Sequence, residues 1–590
     1  MSKKRDLSYE EYSEIRKQGQ KDGSIPDWMA TAGVQVFYKK YLYDAENPRQ
    51  QFERIARTAA KYSPVMISRQ DEGKNLNLSS KQAFQDYWYE KFFNVLWKGY
   101  LACSTPVLSN TGTDRGMPIS CSGGIKVKDS VEGFYEAAKE VAILTKNSFG
   151  TAVDLSAIRP RGSKFKGGGT ASGVLPVLKM IQQVTVDVSQ GSNRRGAVAC
   201  YIDIEHKDVE EVLQYLEHFP DHSNIGWIVR DKFVEKLKQN NPKALKRFQD
   251  VLYVKSVTGK GYFHFIDKAN RRKGEAYEKN GLDVSASQLC NEVMLHSDDN
   301  ETYQCCLSWM NLSKYDEWKD TDAIYVGTVF LDCILSYFIE KASNVSGMEK
   351  VILGAVKGRP IGLGAGGLAT LYQKRMLPFE SAEAYLLNKE IFSKINQESL
   401  QASKDLAVVC GEPEYCKGLG IRFTHRIAVA PTKTTAAIYG GVGEGINPDP
   451  AFSFIQSTAA GEVHRVIPTF LELIKSKGLN VEECILEVAQ NKGSVQKVKW
   501  LSDLEKQVIK TAFEVDQFTI LRQASSRQKD ICQGQSLNFY IDKRRDESYI
   551  SKLHKVAFLD ENIKGLYYLV GKREGDDEEV VEQVACESCM

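Results

Sequence analysis

Short β-rich runs alternate with longer helical runs through the middle of the chain. The β-rich runs are VLYVKSV (251–257), GYFHFID (261–267) and RIAVAPT (426–432), and the helical runs include DCILSYFIEKASN (332–344) and SAEAYLLNKEIFSKI (381–395). This alternation predicts an α/β fold with parallel strands, because each helix carries the chain back across the sheet. With 590 residues, 42% of them apolar, the chain has room for roughly two to four domains.

The two ends differ from this middle part. Residues 1–100 are predicted to be mainly helical, since Asn47-Pro48 is typical of a helix start and apolar residues recur after it at helical spacing. Residues 503–530 are predicted to form one long amphipathic helix. The segment GKREGDDEEVVEQVACESCM (571–590) is acidic and poor in large apolar residues, which predicts a flexible tail.

Composition argues against several classes of protein. The 78 Lys and Arg residues nearly balance the 76 Asp and Glu residues, so no basic excess indicates a nucleic-acid partner. The start MSKKRDLSYEEYSEIRKQ has no apolar core typical of a signal peptide, and no uninterrupted apolar stretch predicts a membrane span. Thirteen cysteines with one CxxC pair do not resemble a secreted disulfide framework or a zinc site. We therefore expect a cytoplasmic protein without a bound metal.

Several cysteines are candidates for thiol chemistry. Cys290, in SASQLCNEVMLH, has Gln288 and Glu292 two residues away on either side, and packing, metal binding and catalysis all remain open for it. Cys586 and Cys589, on the tail, could pass electrons to an internal disulfide by thiol exchange, although two idle exposed cysteines are the alternative. The internal candidates are Cys121, in a Gly/Ser-rich turn, and Cys305 or Cys306.

Three further segments are candidates for anion binding. AVAPTKTTAAIYGG (428–441) is predicted to run from a strand into a helix, with threonines and a lysine at the junction, although an ordinary capped helix explains it equally well. The loops RPRGSKFKGGGTASG (159–173) and SQGSNRRGA (189–197) suit phosphate recognition, and solvated surface loops are the alternative. The adjacent Tyr567 and Tyr568 in KGLYYLVG are, by local pattern alone, packing residues.

Taken together, the motifs resemble the large, catalytic subunit of class I ribonucleotide reductase. The matching motifs, in family order, are ISC, QLCNE, CCLSWMNL, GRPIGLG, APTKTTAAI, GEGINP, DICQGQSLN, GLYY and CESC. The resemblance implies a ten-stranded α/β barrel of two five-stranded halves, with QLCNE on a central finger loop. It divides the chain into an N-terminal helical region (1–100), the barrel (101–563), and a radical-relay segment with a flexible redox tail (564–590).

The resemblance also implies a role for each candidate catalytic residue. Cys290 would carry a thiyl radical that abstracts the ribose 3′-hydrogen, in a loop shielded from solvent. Glu292 would take the 3′-hydroxyl proton. Cys121 and Cys305 would be the reducing pair, with Cys306 as the alternative to Cys305. The tail pair Cys586 and Cys589 would re-reduce that pair, and Tyr567 and Tyr568 would relay the radical.

The family implies two nucleotide sites. The substrate contacts would be Thr105, Ser120, Cys121, Gly150, Gln288, Leu289, Cys290, Asn291, Glu292, Pro431, Thr432, Lys433, Thr434 and Thr435. The site for a dNTP effector with Mg²⁺ would include Asp129, Ser130, Arg159, Lys166, Ser192, Asn193 and Arg194. Two residues depart from the family: Gln288 stands where asparagine is usual, and Lys433 stands where other members often carry a different residue.

The implied partners follow from the same resemblance. They are a metal-containing small subunit that supplies the radical, thioredoxin or glutaredoxin, ribonucleoside diphosphates, dNTP or ATP effectors, and a second copy in a homodimer. No cofactor would be tightly bound in this chain. We expect no ATP-cone domain, which has roughly a hundred residues, ahead of the barrel. The alternatives are an adenosylcobalamin-dependent class II reductase, a non-catalytic nucleotide-binding regulator and a plain thiol-disulfide oxidoreductase.

Overall fold

The computed structural model describes residues 7–572, apart from residues 75, 77, 120, 189–195, 223, 459–460 and 543–546. The first part is helical, as predicted, with α1 (Tyr9–Asp22), α2 (Thr31–Val36), α3 (Pro48–Ala60) and α4 (Lys81–Trp97). Helix α3 begins after Asn47, whose side chain accepts from the N–H of Gln50 while the Gln50 side chain bonds back. This capping box explains why the predicted start is also the observed one.

Ten strands form one sheet. They are β1 (Leu101–Cys103), β2 (Cys121–Gly123), β3 (Ile125–Lys126), β4 (Gly150–Asp154), β5 (Ala197–Asp203), β6 (Ile225–Val229), β7 (Tyr262–Phe265), β8 (Tyr303–Asn311), β9 (Ile361–Gly366) and β13 (Gly565–Leu566). Their order is β1-β8-β2-β4-β5-β6-β7-β13, with β3 beside β4 and β9 beside β8. The run from β2 to β7 is parallel, whereas β8 is antiparallel to β1 and β2. These ten strands in one sheet confirm the predicted ten-stranded α/β barrel fold.

Helices cover this sheet. They are α5 (Thr105–Asn110), α6 (Val131–Lys146), α7 (Val174–Asp187), α8 (Val209–His218), α9 (Asp231–Lys238), α10 (Pro242–Thr258), α11 (Ile266–Asn270), α12 (Glu275–Lys279), α13 (Tyr315–Trp318), α14 (Ala323–Ala342), α15 (Glu349–Gly358), α16 (Leu368–Lys374), α17 (Ala382–Cys410) and α18 (Lys433–Ile438). In the described part of the chain, α14 is the one helix long and apolar enough to cross a membrane, but 78% of its apolar stretch is buried inside the protein. It packs against β8, β9 and α17 as a core helix.

A smaller unit with its own apolar cluster follows. It contains the antiparallel hairpin of β10 (Ser453–Thr458) and β11 (Gly461–Val466), and the helices α19 (Pro468–Ser476), α20 (Val481–Gln490) and α21 (Asp503–Val508). The chain then returns to the sheet through α22 (Gln517–Gln528), β12 (Phe539–Asp542), α23 (Glu547–Leu559) and β14 (Leu569–Lys572). Strands β12 and β14 pair in parallel, so they fix the backbone on either side of the last helix.

The prediction of a strand at 251–257 is wrong, because this run lies in the last two turns of α10. The Asn241 side chain accepts from the N–H groups of Lys243 and Ala244, Pro242 opens the helix, and Gly259 ends it at φ 75°. These caps outweigh the β-branched composition of the run. The run 426–432 is not a regular strand either, since only Val429 forms a bridge, with Gln535.

The single helix predicted over 503–530 is also wrong. Helix α21 ends at Val508 and α22 begins after Asp516, whose side chain accepts from the N–H of Phe518. Between them, the N–H of Ala512 donates to the carbonyl of Asp449. A capping carboxylate and a tertiary backbone contact therefore interrupt a stretch whose apolar pattern is helical throughout.

Candidate active site

Residues 285–297 form a narrow hairpin loop with a fully buried tip. The N–H of Ser285 donates to the carbonyl of Leu295, and both the N–H of Gln288 and the hydroxyl of Ser287 donate to the carbonyl of Val293. Leu289 and Cys290 at the tip pack in one inner apolar cluster with side chains of β2 and of β4 through β8. The loop thus lies against the inner face of the sheet, where the resemblance places a finger loop.

The Gln288 side chain holds the tip of the loop in place. Its Oε1 accepts from the N–H of Cys290 at 3.0 Å and from the N–H of Glu292 at 3.2 Å. The carbonyl of Gln288 itself accepts from the hydroxyl of Tyr201 at 2.9 Å. One amide oxygen therefore fixes the backbone of both residues that the sequence selects for chemistry, which a nonpolar side chain could not do.

Residues 534–536 fix the same tip from the other side. The Ser536 hydroxyl donates to the carbonyl of Cys290 at 2.6 Å and lies 3.1 Å from Oε2 of Glu292. The N–H of Gly534 donates to the carbonyl of Glu292, and a Cβ at Gly534 would come within 2.6 Å of Met294. Sequence reasoning missed Ser536 as a site residue, although the DICQGQSLN motif that contains it was a signal.

Cys121 and Cys305 face each other across two neighbouring strands. They are direct partners in the register of β2 and β8, and both lie in the inner cluster with Cys290. The Nε2 of Gln533 lies 3.6 Å from the Cys305 sulfur and donates to it. Burial raises the pKa of the Cys305 thiol well above its usual value, so the group keeps its hydrogen.

Cys306 lies on the opposite face of β8. It packs in the outer apolar cluster with Leu331 and Leu363, because successive strand residues point to opposite faces. Adjacency in the sequence could not separate Cys305 from Cys306, whereas the strand register places Cys305 on the side of Cys290.

Tyr567 and Tyr568 are both buried, and their rings pack closely at a tilt of 50°. Their ring centroids are 4.0 Å apart, and both rings belong to the inner cluster. Strand β13, which precedes them, pairs with β7. The Nζ of the buried Lys255 donates to the carbonyls of Tyr567 and Gly261 at 2.5 and 2.8 Å. Burial lowers the pKa of Lys255 to about 7.

Asn291 connects the loop tip to the tyrosine pair. It adopts a left-handed conformation with φ 64°, which asparagine tolerates better than most residues. Its Nδ2 donates to the carbonyls of Phe263 and Leu566 at 2.8 and 3.2 Å. Cys290 precedes Asn291 in the sequence, and Tyr567 follows Leu566. The hydrogen bond from Asn291 to the Leu566 carbonyl therefore fixes the position of Cys290 relative to Tyr567.

Several of the predicted substrate contacts outside the loop are buried. Gly150 pairs in register with Cys121. Thr432, Thr434 and Thr435 are buried at the start of α18, which is only six residues long. The Thr432 hydroxyl accepts from the N–H of Gly445, and the Thr435 hydroxyl accepts from the indole of Trp309.

The remaining candidate substrate-binding residues are more exposed or lie outside the residues that the structure describes. Pro431 and Lys433 are half-buried beside the three threonines. The Thr105 hydroxyl lies 2.8 Å from that of Tyr41. Ser120 falls outside the described residues.

The predicted effector residues divide in the same way. Asp129 and Arg159 form an ion pair, and the Arg159 guanidinium lies 5.1 Å from the centre of the Phe165 ring. Ser130 caps α6 by accepting from the N–H of Gly133, and Lys166 is exposed. Ser192, Asn193, Arg194, Cys586 and Cys589 lie outside the described residues.

Within the described ranges, no group of three or more His, Cys, Asp or Glu side chains could hold a metal ion.

Comparison with known proteins identifies two family domains along the chain. The model of the ribonucleotide reductase barrel domain matches residues 120–247, 236–417 and 413–569. The model of the ribonucleotide reductase all-alpha domain matches residues 29–116. These matches confirm the barrel and the helical region ahead of it.

Individual relatives agree with the family models. A protein of Frog virus 3, described provisionally as a ribonucleoside-diphosphate reductase large subunit, is 33% identical over 502 residues, which cover 81% of this chain and 87% of that protein. The ribonucleoside-diphosphate reductase large subunit of Invertebrate iridescent virus 3 is 26% identical over 563 residues, or 82% of this chain and 88% of its own length. The structure of the Actinobacillus ureae class Id ribonucleotide reductase alpha subunit superimposes with a TM-score of 0.81 at 32% identity, covering 93% of this chain and 98% of that chain. The chain therefore belongs to the family of ribonucleotide reductase large subunits.

Proposed function

We propose that Cys290 is the radical site at which this reductase converts ribonucleoside diphosphates to deoxyribonucleotides. The observation that carries the proposal is the inner cluster itself, which holds Cys290, Cys121 and Cys305 together beside Glu292. As a thiyl radical, Cys290 takes the 3′-hydrogen atom of the ribose and becomes a thiol, leaving a radical on the sugar carbon. Burial of Cys290 shields that radical from solvent and side reactions.

Loss of the 2′-hydroxyl then needs proton transfer and two electrons. Glu292 takes the 3′-hydroxyl proton, and the 2′-hydroxyl accepts a proton from the cysteine pair and leaves as water. Cys121 and Cys305 supply in all two electrons and two protons and end as a disulfide. One proton goes to the departing water, and the other, with the two electrons, forms the new C–H bond at C2′. Glu292 returns its proton to the 3′ oxygen. Cys290 returns its hydrogen atom to C3′ and is a thiyl radical again. Because the pKa of Cys305 is raised, that residue is a thiol with a hydrogen to give, which supports its role.

The radical reaches Cys290 through Tyr568 and Tyr567 from a separate small subunit, as in class I members of the family. The close contact of the two rings and the Asn291 bridge to Cys290 support this route. Cys586 and Cys589 then reduce the internal disulfide and are reset by thioredoxin or glutaredoxin. A cytoplasmic, reducing location belongs to the proposal, since the eleven cysteines among the described residues are all free.

The nucleotide sites complete the proposal. The segment from Pro431 to Thr435, with Thr105, Ser120 and Gly150, binds the substrate, and the diphosphate preference is carried over from the names of the relatives. A dNTP with Mg²⁺ binds at Asp129, Ser130, Arg159, Lys166 and the loop 192–194 and selects the base. Two copies of the chain form the dimer.

Exchanging each of the adjacent cysteines for serine should separate their roles. In Cys305→Ser, we expect turnover with thioredoxin to fall at least about 100-fold, because the reducing pair is lost. Cys306→Ser is the matched control and should stay within about twofold, since its side chain faces the outer cluster. Rates of dCDP formation measure both variants. Equal losses in the two variants would mean that strand orientation does not select the reducing cysteine.

Shortening or removing the Gln288 amide should change turnover without unfolding the protein. Gln288→Ala removes the acceptor for the N–H groups of Cys290 and Glu292, and we expect a loss of about 100-fold. Gln288→Asn keeps an amide and should stay within about tenfold of the original rate. Ser287→Ala, which removes one hydrogen bond farther from the tip, is the control and should cost less. A Gln288→Ala enzyme with full activity would refute this role for Gln288.

The proposed function is tested with two radical sources in parallel. The full chain receives CDP, effector and dithiothreitol, with either the cognate small subunit or adenosylcobalamin. We expect dCDP only with the small subunit. Product only with adenosylcobalamin would indicate a class II enzyme, and dNTP binding without product in either tube would indicate a regulator.

A further inference from the structure

A third tyrosine packs against the proposed relay pair. Tyr262, on β7, is fully buried, and its ring centre lies 4.7 Å from that of Tyr567 and 5.4 Å from that of Tyr568. Its ring is nearly perpendicular to that of Tyr568, at 85°. None of the matched family motifs contains Tyr262, which lies on β7, far along the sequence from Tyr567 and Tyr568.

The hydroxyl of Tyr262 reaches that of Tyr568. It donates to the Tyr568 oxygen at 3.1 Å and lies 3.4 Å from Oδ1 of Asn224. A hydroxyl has one proton and rotates freely, so Tyr262 can donate to either neighbour in turn. When Tyr262 donates to Asn224, its own oxygen can accept the proton of Tyr568.

This geometry fits the two states through which a relay tyrosine passes. A resting tyrosine has an O–H to donate, whereas a tyrosine that has given up its hydrogen atom can only accept. In a buried site, an acceptor without a donor is costly, and a nearby hydroxyl that changes its direction satisfies both states. Lys255 holds the carbonyls of Gly261 and Tyr567, so the backbones beside Tyr262 and the relay keep their spacing.

We propose that Tyr262 is a positioning residue of the radical relay, whose hydroxyl orients the Tyr568 hydroxyl and donates to the Tyr568 oxygen when that residue carries the radical. The proposal rests on the relay function of Tyr567 and Tyr568 proposed above. Tyr262 itself is not oxidised in this scheme, and the radical passes from Tyr568 to Tyr567 and on to Cys290.

The test uses the full chain with its small subunit and 3-aminotyrosine at position 568 as a radical trap. In Tyr262→Phe, we expect the trapped radical to lose one exchangeable deuterium coupling and to change its g-tensor in high-field electron paramagnetic resonance. Without the trap, dCDP formation by Tyr262→Phe should fall about tenfold, as expected for one lost hydrogen bond. A fluorotyrosine at 262 keeps the hydroxyl and should restore the coupling.

Tyr540→Phe is the matched control, since Tyr540 lies in the same inner cluster and packs edge-on to Phe513. It should leave the couplings unchanged. A trapped radical with identical couplings and g-tensor in Tyr262→Phe would overturn the proposal. If no radical forms at 568 even with Tyr262 intact, the relay is wrong and the role of Tyr262 falls with it.

Discussion

Replacing Cys290 with serine should reduce dCDP formation at least about 10³-fold while leaving dNTP binding and thermal stability nearly unchanged. The O–H bond of serine is stronger than the S–H bond of cysteine, so an oxygen at this position cannot hold and return the radical reversibly. The side chain is fully buried at the tip of the loop, and serine is close to it in size. Turnover with the small subunit, together with the thermal unfolding midpoint, measures the two effects.

Cys200→Ser is the control for this prediction. Cys200 is equally buried but packs in the outer cluster from β5, so its replacement should leave turnover within about threefold. If Cys290→Ser retained more than about a tenth of the original rate, the radical would have to be carried by another residue.

The second large effect is expected at the tyrosine pair. Either Tyr567→Phe or Tyr568→Phe should lower turnover with the small subunit at least about 10³-fold, because phenylalanine has no hydroxyl hydrogen atom to transfer. Ring packing at 4.0 Å is preserved, so CDP and dNTP binding should not change. Rapid-quench measurement of dCDP, with equilibrium binding of CDP, separates loss of the relay from loss of the site.

Tyr540→Phe serves as the control here too, since it removes a buried hydroxyl from the same cluster. Its turnover should remain within about threefold. Full activity in both Tyr567→Phe and Tyr568→Phe would show that the radical reaches Cys290 by another route and that the pair has a packing role only.

The sequence predicts best where the signal is local. The start of α3 is encoded by Asn47, Pro48 and Gln50 within a few residues of each other, and it is correct. Local composition misleads at 251–257, where β-branched residues lie inside a helix that is fixed by caps at Asn241 and Gly259. The family motifs select Cys290 and Glu292 as candidates, because those residues stand together in QLCNE.

The sequence alone could not predict contacts between residues that lie far apart along the chain. Ser536 bonds to the carbonyl of Cys290 across 246 positions, and Tyr262 meets Tyr568 across 306 positions. Choosing Cys305 over Cys306 requires knowing which face of β8 each side chain points to. A shift of the strand by one residue would exchange the two faces. These residues are brought together because the loop packs against the inner face of the sheet.

The most direct measurement is the mapping of the disulfide made in one turnover. The pre-reduced chain, with Cys586 and Cys589 replaced by serine so that the disulfide cannot move to the tail, reacts with CDP, effector and small subunit without external reductant. Alkylation of free thiols and mass spectrometry of the peptides then follow. The account predicts about one dCDP per chain and a disulfide between Cys121 and Cys305 in equal amount. Product formed with a Cys121–Cys306 disulfide, or without any new disulfide, would contradict it.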